Sequence, residues 1–137
     1  MKKDLQSDIK VINALDTQAI STDTTTNGDV IDTQGYNSIV FVLQAGTLTD
    51  GTYTPVIEEG DNSGLSDAAA VTDFHLLPSG TGQEAAAALD TSNTVSKLGV
   101  ISNKRYLRLS VASTSTTSGG TVGGVAVLGH PVSSPVS

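Results

Sequence analysis

Two histidines, His75 and His130, supply the only imidazoles in the 137 residues. They stand far apart, and no H-x-H or H-E-x-x-H spacing brings two ring nitrogens to one metal ion. His75 lies in an alternating stretch, opposite in phase to Phe74 and Leu76; on a strand that phase points it to the surface. The segment Glu58 to Asp67, EEGDNSGLSD, clusters carboxylates on a polar run, which is what calcium requires. It lacks the D-x-D-x-D-G spacing and the later bidentate Glu, so a polar turn is the plainer reading. Glu58 and Glu59 are adjacent, which on a strand sends them to opposite faces and unsuits them to paired acid/base work. No G-x-S-x-G elbow occurs, and the glycines from Gly119 to Gly124 lack the Lys-Ser/Thr of a phosphate loop. With no cysteine in the chain, a thiol nucleophile, a disulfide and a Cys-ligated zinc are excluded. The expectation is a protein that binds and holds, with no catalytic residue, no cofactor and no metal.

Charge distribution says more than the net −7. The cations are Lys2, Lys3 and Lys10 at the start, then Lys97, Lys104, Arg105 and Arg108. Between Val11 and Ser96 there is no Lys or Arg, and that stretch carries twelve of the fourteen acids. Such a block repels a phosphate backbone, so nucleic acid is not an expected partner in spite of the small basic cluster around Tyr106. No apolar run is long enough to span a membrane as a helix, and no apolar h-region follows Lys2 and Lys3. The lack of cysteine fits synthesis in a reducing cytosol.

The elements that must position these groups are strands. Eighteen Thr, sixteen Ser and fourteen Gly combine strand formers with turn formers. Ser38 to Ala45, SIVFVLQA, is the strongest strand; its unbroken apolar run predicts burial on both faces. Val11–Leu15, Val30–Thr33, Thr52–Glu58, Val71–Leu77, Val95–Ile101, Arg105–Ala112 and Val122–Leu128 complete about eight short strands. Pro55 marks an edge or a bulge. Asn27-Gly28 and Asp50-Gly51 are turn signals. Gln83 to Leu89 is the one helix-like patch, and Ser113 to Gly120 reads as a flexible loop. The pattern predicts one all-β domain, an antiparallel sandwich or barrel with at most one short helix. An N-terminal arm (1–10) precedes the domain (11–129), and an extended tail (130–137) follows it.

Three segments carry a resemblance. Asp32 to Phe41, DTQGYNSIVF, is an entry into a buried strand; Gly46 to Glu59 is the hairpin after it; Asn103 to Arg108 precedes a glycine-rich strand closing at Gly129-His130-Pro131. Over roughly residues 30–131 the chain resembles small tailed-bacteriophage structural proteins of the capsid decoration, or cement, type. The resemblance implies a jelly-roll-like β-sandwich on the outer surface of the head, made in the host bacterial cytoplasm. There it would bridge subunits of the major capsid protein, itself a dimer or trimer. The candidate capsid-contact residues are Lys2, Lys3, Lys10, Lys104, Arg105, Arg108 and His130, with the acidic middle facing outward. The competing reading is a tail or head-fibre component, or a carbohydrate-binding module using Tyr36, Tyr53 or Tyr106.

Overall fold

The computed structural model describes residues 5–77 and 81–132. Lys2, Lys3 and the tail beyond Val132 lie outside the described residues. Among the described residues nine strands run β1 (Lys10–Ile20), β2 (Thr25–Asp32), β3 (Tyr36–Leu48), β4 (Thr52–Gly60), β5 (Ala69–Ala70), β6 (Leu76–Leu77), β7 (Val95–Val100), β8 (Tyr106–Thr114) and β9 (Gly120–Pro131). One helical turn, α1 (Gln83–Ala86), falls in the helix-like patch, and at four residues it survives only by packing on its neighbours.

The strands form two antiparallel sheets in the orders β1-β9-β3-β7-β6 and β2-β8-β4-β5. The first half of the chain pairs with the second half in nested fashion: Lys10 with Leu128, Thr25 with Ala112, Ile39 with Val100, Glu58 with Ala70. It is one long hairpin, folded over so that β9 also meets β3 and β8 also meets β4. That double Greek key is a jelly roll. Between the sheets, Phe41, Leu43, Ile57, Leu98, Leu107, Leu109, Ala126 and Leu128 are almost wholly buried. Each fully buried large side chain contributes about 1.5–3 kcal/mol.

Several expectations are corrected. The central strand β3 is not buried on both faces: Ile39, Phe41 and Leu43 point into the core, while Val40 and Val42 are half-buried on the outside. Among the described residues no layer covers that side of the sheet. Asn27-Gly28 is no hairpin turn but lies at an irregularity in β2, where the register slips between Asn27 and Val30. A Cβ on Gly28 would overlap the carbonyl oxygens of Ala14 and Leu109, so the bare backbone lets β2 lean against β1. Val71–Leu77 is not one strand. A 3-10 turn, Asp73–His75, interrupts it and leaves only two-residue β5 and β6 around it; Phe74 and His75 are both exposed on this turn, so the strand phase that set them on opposite faces does not hold. Pro55 is at an edge as expected: β8 lies on one side of it, and on the other β5 reaches only Glu58 and Glu59.

Candidate functional site

Strand register gathers Lys10, Lys104, Arg105 and Arg108 at one end of the sandwich, beside the first residues of β1 and the last of β9, while Lys97 pairs in mid-strand with Val42. There the turn after β2, the loop after β4 and the loop after β7 converge. Asp32 ends β2 and accepts from Arg105 at both oxygens, 2.8 Å from Nε and 2.7 Å from the terminal nitrogen. This bidentate fork holds the Asp32 carboxyl below the usual range. The Arg105 carbonyl accepts in turn from the backbone and hydroxyl of Thr33, and the guanidinium lies 5.0 Å from the centre of the Tyr106 ring. Lys104 reaches Asp61 at 2.8 Å. Arg108 meets Glu58 at 2.7 Å across the outer side of β8 and β4. Asp67 accepts the backbone amides of Asp61 and Asn62, which lowers its pKa and closes the acidic loop as a turn. Ser102 donates to Glu59.

The other edge of this end is formed by His130. Its Nδ1 lies 2.8 Å from the Ser38 hydroxyl, and its carbonyl accepts from Asn37. Lys10 pairs with Leu128 two residues away. So the structure brings Lys10, Lys104, Arg105, Arg108 and His130 to one end. It does not separate them from the acids. Three of these cations are each engaged by a carboxylate from the acidic stretch, so segregation along the chain does not become segregation in space. An open depression of about 350 Å³ lies between Gly35, Asn37, Asp61, Lys104 and Val132.

At the opposite end Asp50 does the same work with backbone alone. It accepts from the amides of Thr117, Ser118 and Gly119 at 2.8–3.2 Å, and these bonds hold its pKa down. The Ser/Thr segment expected to be flexible is thus tied at three amides, and a fourth, Thr116, donates to Asp23. Beneath it Tyr53 is fully buried and donates to the Asp50 carbonyl at 3.1 Å. A glycan has no access to that ring. Tyr36 and Tyr106 are half-buried.

A further surface was not legible in the sequence. On the outer side of the first sheet, Val11, Val127 and Val40 stand side by side across β1, β9 and β3, with Val125 and Val42 in the next row. A groove of about 280 Å³ lies beside them, lined by Asn13, Val42, Gln44, Asn93 and Val125, and Thr17 packs over Gly123 within it. Among the described residues no group of three or more His, Asp or Glu could hold a metal ion.

These features define an antiparallel jelly-roll domain with one polar, multi-loop end and one valine-rich sheet face. No protein-family model and no curated protein sequence matches the chain. Two solved structures are similar to it. One is a structure of infectious bursal disease virus, Gx strain, with TM-score 0.50 and 16% identity over 93% of this chain. The chain spans only a third of that viral chain, 33%. The other is the SPBc2 prophage-derived protein YomS, with TM-score 0.49 and 11% identity over 88% of this chain and 92% of that one. At such identities the viral likeness speaks for the fold.

Proposed function

We propose that the chain is a virion structural protein of the capsid decoration type, bound to the outside of a phage head and bridging neighbouring subunits of the major capsid protein. The observation that carries this reading is the convergence of three polar loops and both ends of the described chain on one end of a jelly roll. A two-sheet body with charged loops and both described chain ends on one side suits a bridging role. Lys10, Lys104, Arg105, Arg108 and His130 sit there. The opposite end, with Asp23, Asp50 and Asp90 in its loops, would face the medium. The fold likeness to a chain of a virus structure supports the reading, as does the sequence resemblance. Individually weak contacts repeated over a symmetric shell add by multivalency. The carbohydrate-binding alternative loses Tyr53 to the core and keeps only Tyr36 and Tyr106.

The test mixes purified protein with undecorated heads. The expected result is cosedimentation in a fixed ratio to the major capsid protein and a rise in the temperature at which heads release DNA. Absence of both overturns the reading.

A further inference from the structure

Asn27-Gly28 has the chemistry of a turn but lies within β2, an edge strand of its sheet. Ladder pairing jumps from Asn27–Ser110 to Val30–Arg108, which sets Gly28 and Asp29 together against Leu109. Asn27 is exposed. Its Oδ1 accepts from the Ser110 hydroxyl at 3.0 Å, and that serine is wholly buried. We propose that Asn27-Gly28 is a self-modification site, where local opening of β2 converts Asn27 to aspartate and isoaspartate.

The step uses only the chain and water. The Gly28 amide nitrogen gives up its proton and attacks Cγ of Asn27. An N–Cγ bond forms, the bond from Cγ to the side-chain nitrogen breaks, and ammonia leaves with the proton. Water then opens the cyclic imide. Cleavage at one carbonyl gives aspartate at position 27; cleavage at the other gives isoaspartate, whose main chain runs through the former side chain. Glycine makes this position the quick one. With no Cβ, its nitrogen is unshielded and its backbone turns freely. Every other asparagine precedes Ala, Ser, Thr or Lys. Asp50-Gly51 would give the same imide, but the amides of Thr117, Ser118 and Gly119 hold that carboxylate fixed and ionised, and so a poor electrophile.

The fold supplies the restraint. An extended strand points the Gly28 nitrogen away from Cγ of Asn27, so attack requires β2 to leave its ladder. Segments with few buried contacts open at lower free energy than the core. The Ser110 hydroxyl meanwhile holds the side-chain amide in place. Conversion is also a ratchet. A Cβ on Gly28 would meet the carbonyl oxygens of Ala14 and Leu109 at 2.1 and 2.3 Å. Isoaspartate adds a methylene to the main chain beside this crowded point, so a converted β2 cannot return to its place. The inference does not depend on the capsid reading, and its test needs no heads.

The test is incubation of the folded full chain at mildly alkaline pH. Peptide mapping by mass spectrometry and labelling by an isoaspartate-specific methyltransferase follow the products. Asn27 should convert first among the asparagines, at a rate that rises with pH as the Gly28 amide ionises. A synthetic peptide of residues 22–32, which has no fold to restrain it, should convert about tenfold faster or more. Ser110→Ala should narrow that gap. So should urea below the unfolding transition, which decides the matter if the variant does not fold. The isoaspartate form, once separated, should melt lower, with hydrogen-exchange protection lost first in β2. Another asparagine converting first, an Asn27 that outlasts the others, or equal rates in folded chain and peptide overturns the proposal. So does a folded Ser110→Ala variant that converts more slowly than wild type.

Discussion

The two sheets present the same kind of face to each other and opposite kinds of face to the outside. Inward, both offer closely packed Leu, Ile, Val and Phe. Outward, the sheet β2-β8-β4-β5 is covered by polar pairs: Arg108 with Glu58, Arg105 with Asp32, and the buried Ser110 hydroxyl donating to Asn27 at 3.0 Å. The outward rows of the other sheet hold Val11, Val40, Val42, Val125 and Val127, with Asn13 bonded to Asp16 and Asp29 along β1. Folding needs only the inner faces to be apolar, since the core forms between the sheets. The difference between the outer faces therefore reports on something other than folding. Paired charges finish a surface for water, and unpaired valines leave one open to contact.

The largest effect that sharpens this comparison is on β3 itself. Phe41→Ala, at a wholly buried position, should cost about 3–5 kcal/mol, whereas Val42→Ala, one residue on and facing out, should cost less than about 1 kcal/mol. Urea unfolding monitored by circular dichroism measures both. Equal losses would mean that the outer face is a second core layer and the contrast between the sheets is false.

A smaller effect concerns the polar covering of the other sheet. The Arg108 and Glu58 side chains are only 20% and 25% exposed, against 45% and 44% for Arg105 and Asp32. A double-mutant cycle should give a coupling of about 0.5–1 kcal/mol for the first pair, and less than about 0.5 kcal/mol, vanishing in high salt, for the second. A stronger coupling in the more exposed pair would contradict a covering graded by burial.

The most subtle effect is on pH. Asp32, Asp50 and Asp67 all titrate below the ordinary aspartate value: Arg105 does this for Asp32, and backbone amides do it for Asp50 and Asp67. Because the folded values are depressed, the stabilisation is complete above the unfolded aspartate pKa and is lost as pH falls through the folded values. Burial pushes Glu84 the other way, so its neutral form is favoured on folding and that contribution fades as pH rises through its raised value. Asp50→Ala should lower the thermal midpoint at neutral pH and converge on wild type in acid. A gap between the two melting curves that stays constant with pH would remove the charge from the explanation.

How much of this was legible from residues alone follows the range of the forces involved. Leu107, Leu109 and Val111 alternate in the sequence and alternate in β8, because side-chain direction on a strand is a local property. Pro55 announced an edge because a missing N–H is also local. Gly28 misled because the turn preference of Asn-Gly is statistical, while the need for a bare Cα came from Ala14 and Leu109, which are distant in sequence. Val40 and Val42 misled for a similar reason: an apolar run cannot state whether a second layer will lie over it. The candidate contacts Lys104, Arg105 and Arg108 could be named as a cluster, but their carboxylate partners Asp61, Asp32 and Glu58 lie more than forty residues away.

By itself, then, the sequence determined the all-β class, the absence of thiols and the positions of most strands, since composition and period-two patterning act within a few residues. Only the tertiary structure decided the nested jelly-roll pairing, the joining of acids and bases at one end, and the meeting of Val11, Val40 and Val127 on one uncovered face. Each of those depends on backbone hydrogen bonds between residues far apart in the chain, and pairing at that range is set by the whole fold.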